Sequence, residues 1–487
     1  MNNAAQDYYQ LLGVDRHTST EMIAIAFAAK RSAAIQQNID PETDAAFQQI
    51  VYAYEVLSDP QRRDFYDSLL VETAVPTLQL NVTISNKHIP ILDTPQLFYL
   101  LIEIRPHALA KKQQLPLNLC LVIDRSTSMR GERLERMRTA VQLVYEKLAP
   151  GDVLSVISFS DRAEVVLPAR AINEQEEARA KIATIQASGG TEIFQGLAAG
   201  VQQMHQVALD NYTNHLILLT DGHTYGDEVE CLQLAQTVAQ ENINFTAFGL
   251  GTDWNDQFLD ALVAPSKGQS SYIDQPQTIL AFLEERISGL GAVYARDVCL
   301  HTKWPGFTTL QDAFKLTPFA QPLEANRSDI PLGNIEGHVP LTCLFVLQLL
   351  TPPFPTRVKI PLRITAEIPG QANQTLQETI KLQLLTTAAQ PKPPPALIKA
   401  ARLLNLYQLN AKALQEAESG QLALAAQRMR HLTTRYIEAG QAQLAQQASL
   451  EANRLEQTEA LSAAGRKRLK YGTRMLFNQT VIFEQDD

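Results

Sequence analysis

Cysteine is scarce in this 487-residue chain, with four in total and none at paired spacing. Cys120, Cys231, Cys299 and Cys343 are scattered, and their spacing does not suggest a disulfide framework or a Cys-x-x-Cys motif. Cys120 sits inside an apolar run, where cysteine acts as a small buried hydrophobe. A reducing cytoplasm is the expected compartment. Long apolar runs are also missing. The longest, Val339 to Leu350, is interrupted by Pro340, Thr342 and Gln348, which excludes a bilayer-spanning helix there. Basic excess is lacking as well: 42 Lys and Arg stand against 52 Asp and Glu, for a net charge of −10. No domain-wide cationic face therefore advertises nucleic acid. Met1 to Asp7 has no basic stretch followed by an apolar core, so no secretory leader is expected. No Gly-x-x-x-x-Gly-Lys phosphate loop occurs. What is present, 45% hydrophobic and 19% charged residues, describes a globular chain. Its length suggests three or four domains.

The run Leu117-Asn118-Leu119-Cys120-Leu121-Val122-Ile123 stops at Asp124, and Ser126 and Ser128 follow at alternate positions. A buried parallel strand reads as such a run, and ligands of open α/β sheets gather at the carboxyl ends of the strands. Ser188-Gly189-Gly190-Thr191 is a glycine turn that presents a hydroxyl. His215 to Thr220 is a second apolar strand ending at Asp221-Gly222. Asp124, Ser126, Ser128, Thr191 and Asp221 would together offer two carboxylates and three neutral hydroxyls to a hard cation. Magnesium favours such oxygen ligation and keeps some waters. One of these segments alone would be read as a helix cap; three converging segments favour a site.

Asp-x-Ser-x-Ser, then Thr, then Thr-Asp-Gly, resembles the metal-ion-dependent adhesion site of a von Willebrand factor A domain. The resemblance implies Mg²⁺, with Mn²⁺ or Ca²⁺ as alternatives, at a site where an acidic residue of a partner protein completes the coordination. His223 and Glu192 adjoin the proposed ligands and are expected at its rim. From residue 116 to 288 apolar runs alternate with amphipathic segments, as an α/β sheet requires. Strands are expected at 117–123, 153–159, 163–167, 216–220, 245–249 and 271–273. Helices are expected at 132–148, 174–185, 193–204, 228–241 and 256–263.

The first seventy residues carry a different signature. Asp7-Tyr8-Tyr9-Gln10-Leu11-Leu12-Gly13 opens a short helix, and Thr18-Ser19-Thr20-Glu21 is a capping box. Ala53-Tyr54-Glu55-Val56-Leu57-Ser58-Asp59-Pro60 ends a helix bearing Phe47, Ile50, Tyr54 and Leu57 at helical spacing. These strings resemble a DnaJ-type J domain. That family carries His-Pro-Asp between its second and third helices, the tripeptide that engages a heat-shock ATPase chaperone. No histidine occurs here between His17 and His88. The basic second helix is reduced to Lys30 and Arg31. A J-like docking module without chaperone-stimulating chemistry is expected.

Two apolar strands at 77–84 and 97–104 cannot bury a face alone. Further strands are expected at 293–300, 341–350, 357–364 and 375–385. The economical solution is one β-sandwich from both flanks. Beyond Pro391-Lys392-Pro393-Pro394-Pro395, a stiff linker, Ala, Leu, Gln and Glu predominate. Glu418-Ser419-Gly420-Gln421 and Glu438-Ala439-Gly440-Gln441 mark two joints of a helical array. Arg466 to Arg474 is a basic cluster, read as a solvated helix end with docking as the alternative.

The expected organisation is thus a multidomain α/β protein. A J-like helical bundle covers 1–72, and a β-sandwich covers 77–115 plus 290–388. A Rossmann-like von Willebrand factor A domain, a mostly parallel sheet flanked by helices, is inserted at 116–288. A Pro-rich linker (389–396), a C-terminal three-helix array (397–475) and an acidic tail (476–487) follow. The expected function is a non-enzymatic cytoplasmic scaffold that grips protein partners through the ion. The resemblance implies a MoxR-type AAA+ ATPase or a signalling kinase or phosphatase as partner. The competing readings are a metal-dependent phosphohydrolase, for which His223 is the nearby base, and a working J-domain co-chaperone.

Overall fold

The computed structural model describes residues 8–14, 18–36, 40, 44–60, 62–63, 66, 78–107, 115–171, 175–224, 226–288, 293–324, 329–336, 339–350, 354–368, 373–387 and 392–479. The chain divides into two compact units, Met1–Pro76 and Thr77–Asp487. In the first, α1 (Tyr8–Leu12) ends at Gly13, whose φ of 73° needs a residue without Cβ. α2 (Thr20–Gln36) buries Ile23 and Ala34, and Phe27 stacks on Tyr54 with ring centroids 4.3 Å apart. α3 (Ala45–Ser58) is capped by Asp44, whose Oδ1 accepts from the Phe47 amide at 2.8 Å. Tyr9, Leu12, Ile23, Ala53 and Leu57 form the centre of this unit.

The second unit begins with β1 (Leu78–Ile84), β2 (His88–Pro90) and β3 (Gln96–Pro106). The chain then enters an α/β domain. Its sheet is built from β4 (Leu117–Asp124), β5 (Val153–Phe159), β6 (Ala163–Ala171), β7 (Thr213–Thr220), β8 (Asn244–Leu250) and β9 (Gln269–Ile273). The order is β6-β5-β4-β7-β8-β9, with β6 antiparallel at one edge and every other pairing parallel. β4 is buried along its whole length because helices cover both faces. Leu119, Leu121 and Ile123 pack with α4 (Glu132–Lys147), α5 (Gln175–Ala183) and α9 (Ile279–Ser288). Cys120 and Val122 pack with α6 (Ile193–Met204), α7 (Glu228–Gln240) and α8 (Asp256–Val263). The strand order reverses direction at β4, which makes its carboxyl end the crevice of the sheet.

β10 (Val293–Thr302), β11 (Thr308–Thr317), β12 (Gln321–Pro322), β13 (Asp329–Glu336), β14 (Leu341–Leu349), β15 (Thr356–Glu367) and β16 (Gln374–Leu385) follow. They join the first three strands in two sheets, β1-β3-β14-β11-β12 and β13-β10-β15-β16-β2. The strands before the α/β domain therefore pair with strands after it, and the two sheets share one apolar core. β11, β12, β13 and β2 were not expected from the sequence. Asp312 and Lys315 interrupt the apolar pattern of β11, while Pro331 and Gly333 interrupt β13, whose register with β10 shifts repeatedly.

The C-terminal array corrects the three-helix expectation. It has four helices: α10 (Pro395–Glu418), α11 (Leu422–Glu438), α12 (Ala442–Thr458) and α13 (Ala463–Gln479). The first two joints are the expected glycines, Gly420 at φ 77° and Gly440 at φ 72°. The third turns on Glu459 at φ 57°, so no glycine marked it. Two expected boundaries also move. Pro395 opens α10, where a helix tolerates proline, and so leaves the linker. α13 runs on to Gln479, and 480–487 of the expected tail lie outside the described residues.

Candidate metal-binding site

Parallel pairing sets Ile123 beside Leu219 and brings the carboxyl ends of β4 and β7 together. Asp124 has no exposed surface. Its Oδ1 accepts from the Ser126 amide at 2.8 Å, and its Oδ2 accepts from Thr220 Oγ1 at 2.6 Å. The chain then makes a 3-10 turn at Thr127–Met129 before α4. This turn holds Ser126 Oγ 2.9 Å from Ser128 Oγ, and Ser128 Oγ donates to Asp221 Oδ1 at 2.7 Å. Four of the five expected residues are thus linked by hydrogen bonds, Asp124 through the Ser126 amide and then Ser126, Ser128 and Asp221 through their side-chain oxygens. Ser128 faces solvent, while Asp124, Ser126 and Asp221 are buried.

Thr191 arrives on the glycine turn. Thr127 donates twice to the Gly189 carbonyl, from its amide at 3.1 Å and from Oγ1 at 2.6 Å, and the Ser188 amide donates to the Arg125 carbonyl at 2.8 Å. A side chain at Gly189 would put its Cβ 2.5 Å from Asp161 Oδ2, and φ there is 76°. Thr191 is buried and lies against Gly222, where an added Cβ would stand 3.1 Å from Thr191 Oγ1. Gly222 of the Thr-Asp-Gly string therefore leaves room for the third hydroxyl. Thr224 and Asp227 tie this corner to α6, since their side chains accept from the Ile193 and Phe194 amides at 3.1 and 2.7 Å.

Burial pushes the Asp124 carboxyl up to about 6. The Thr220 and Ser126 hydrogen bonds oppose that rise, and the neighbouring Asp221 charge adds to it. Asp221 Oδ2 accepts from Arg133 Nη1 at 2.5 Å, and Arg133 is one-third exposed. Among the described residues no cluster of three or more His, Cys, Asp or Glu side chains forms a metal site. The present donors are two carboxylates and three hydroxyls, a set that fits a hard ion such as Mg²⁺. His223 is exposed and Glu192 half-buried.

Sequence reasoning missed Arg133, Thr224 and Asp227, and placed Thr220 in the Thr-Asp-Gly string without assigning its hydrogen bond to Asp124. Arg133 did carry a signal: a cation in the first turn of a helix opposes the helix dipole and needs an outside partner. The basic cluster expected as a solvated helix end is also different in place. Arg474 makes a bidentate pair with Asp260 at 3.0 and 2.8 Å, and Arg468 pairs with Asp274 at 2.8 Å. Lys467 is buried and donates to the Thr252 and Trp254 carbonyls, each at 2.6 Å. The cluster fastens α13 to the α/β domain.

Comparison with known proteins agrees with this architecture. Residues 118–283 match the von Willebrand factor type A domain family, residues 7–67 the DnaJ domain family, and residues 395–479 the Sll0103-like C-terminal alpha-helical domain family. The chain is 35% identical over 187 residues to protein sll0103 of Synechocystis sp., covering 38% of this chain and 44% of that one. It is 24% identical over 247 residues to YfbK of Escherichia coli, covering 49% and 43% respectively. The match thus spans less than half the length of either relative. In fold it is similar to a von Willebrand factor type A structure from Catenulispora acidiphila, with a TM-score of 0.66 at 15% identity over 82% of this chain and 96% of that chain. It is also similar to the ArnB paralog VWA2 from Sulfolobus acidocaldarius, with a TM-score of 0.52 at 15% identity over 82% and 98%. Residues 118–283 of the chain are a von Willebrand factor type A domain, and residues 7–67 are a DnaJ domain.

Proposed function

We propose that the chain is a non-enzymatic adaptor that holds protein partners through a divalent ion bound by Asp124, Ser126, Ser128, Thr191 and Asp221. The observation that carries this reading is the convergence of the Asp124, Ser126, Ser128 and Asp221 side chains in one hydrogen-bonded series, with the Ser126 amide on Asp124 and hydroxyl contacts from Ser126 to Ser128 to Asp221. Only two of its donors are charged, so a bound Mg²⁺ would stay electrophilic and attract a carboxylate from another protein. The chain's own residues would hold the ion at the solvent-facing end of β4 and β7, with Ser128 at the open side. The DnaJ domain would serve as a docking module, since His-Pro-Asp is absent from its sequence. Four free cysteines, three of them buried, are in keeping with a cytoplasmic location. Among the described residues, no helix is long and apolar enough to cross a membrane.

The test is affinity capture from a cell extract with the full chain as bait, washed with Mg²⁺ or with EDTA. An AAA+ ATPase or a kinase or phosphatase is the partner class to look for first. Release of the same proteins by EDTA and their absence from an Asp124→Ala bait is the expected result. Capture indifferent to both changes would contradict ion-mediated binding.

A further inference from the structure

Arg133 is the cation that contacts Asp221, and its placement is unusual. It lies in the first turn of the 16-residue helix α4, where aligned peptide dipoles disfavour positive charge. The same turn contains Glu132 and Glu135, the residues a helix start favours. Asp221 overrides that preference, with Nη1 to Oδ2 at 2.5 Å while Ser128 occupies Oδ1 at 2.7 Å. The carboxylate side chain is fully buried, and the guanidinium keeps one side in solvent.

Behind the guanidinium stands the end of β8. An added Cβ at Gly251, where φ is 69°, would lie 2.8 Å from Arg133 Nη2. The next carbonyls of that loop, Thr252 and Trp254, are held by buried Lys467 from α13. Arg133 is therefore confined between a fastened loop and Asp221, with one open route, outward to water.

We propose that Arg133 is an internal cation that competes with a divalent ion for Asp221 and so sets the ion affinity of the site. This rests on reading the five residues as an ion site. An ion among these oxygens and a guanidinium on Asp221 would be like charges a few ångströms apart, in a place where solvent screens poorly. The ion must either displace Arg133 toward solvent or tolerate it, and both weaken binding. The site then binds an ion more firmly when something else, such as an acidic group of a partner, takes up the displaced guanidinium.

The test uses the full chain, with Mn²⁺ as the probe, followed by calorimetry and by the paramagnetic signal of free ion. Arg133→Gln is expected to bind Mn²⁺ roughly tenfold more tightly than wild type, a difference of about 1.4 kcal/mol. Its thermal midpoint in EDTA should be lower, and the rise on adding Mn²⁺ larger. A structural role alone would lower stability without raising ion affinity. Equal or weaker Mn²⁺ binding by the variant, with wild type binding normally, overturns the competition and leaves the ion site standing. Failure of both proteins to bind Mn²⁺ removes the ion site itself and the proposal with it. Should Arg133→Gln fail to fold, Arg133→Lys is read instead. Its compact head holds one carboxylate oxygen less firmly, so a severalfold gain in affinity is expected and no gain overturns the idea.

Discussion

Asp124 has no exposed surface, yet two donors reach its carboxylate, the Ser126 amide and the Thr220 hydroxyl. A buried charge persists only with such partners. Thr220→Val keeps the shape of the side chain and removes one of them. Since a hydrogen bond to a charged group contributes about 1.5–3 kcal/mol, urea unfolding at pH 7 should register a loss of that order. A loss within the error of the extrapolation would mean that the Thr220 contact does not support the carboxylate. The site was legible wherever its residues are close in sequence. Asp124, Ser126 and Ser128 alternate along one turn, and Asp221-Gly222 ends an apolar run. Thr220 and Arg133 act across separations of 96 and 88 residues. No local pattern announces which hydroxyl or guanidinium will meet which carboxylate.

Among the elements, α13 had the most misleading sequence. Its cations at 466, 467, 468, 470 and 474 read as a solvated stripe, but four of them meet Asp256, Asp260 and Asp274 on the α/β domain and Lys467 meets the Thr252 and Trp254 carbonyls. Tyr471, buried between them, packs with Trp254 and Tyr272. Burial alone would raise the Asp260 carboxyl, but the hydrogen bonds and charge of Arg474, with Lys470, bring it well below the usual carboxylate range. A depressed carboxylate stabilises the fold fully above its unfolded value, near 4, and loses that contribution as pH falls through the folded value. Arg474→Met should cost about 1.5–3 kcal/mol at pH 7, the range for hydrogen bonds to a charged group, since the pair is partly buried and Lys470 stays on Asp260. The gap from wild type should narrow as pH is lowered from 5 toward 2. Urea unfolding across that range checks it, and a gap independent of pH would contradict the clamp. The strands at 308–317 and 329–336 escaped notice for another reason. Their polar and Pro/Gly interruptions are met by bulges and by an adjoining helix layer, which only the assembled sheets reveal.

At the scale of the molecule, one sheet explains why Val339 to Leu350 is the longest apolar stretch. β14 lies in the sheet β1-β3-β14-β11-β12, and both of its faces are covered. Leu341, Cys343, Phe345 and Leu347 face the sandwich core, while Leu344 and Val346 pack with Leu101, Phe314 and the C-terminal helices. The run that excluded a membrane span is the strand between two apolar layers. The pairing of strands from before and after the α/β domain follows from the same need, since two strands alone leave a face exposed. What the sequence did not disclose is that the helical array closes the unit. It covers the outer face of that sheet and, through α13, grips the α/β domain near the loop behind Arg133.

On the proposed function, the oxygens gathered at the ends of β4 and β7 bind a divalent ion. Calorimetric titration of Mg²⁺ and Mn²⁺ into the full chain and into Asp124→Ala tests it most directly, with circular dichroism confirming that both are folded. Wild type is expected to bind one ion per chain and the variant at least a hundredfold more weakly, a difference of about 2.7 kcal/mol. Equal affinity in the two folded proteins, or no binding by wild type, would contradict it.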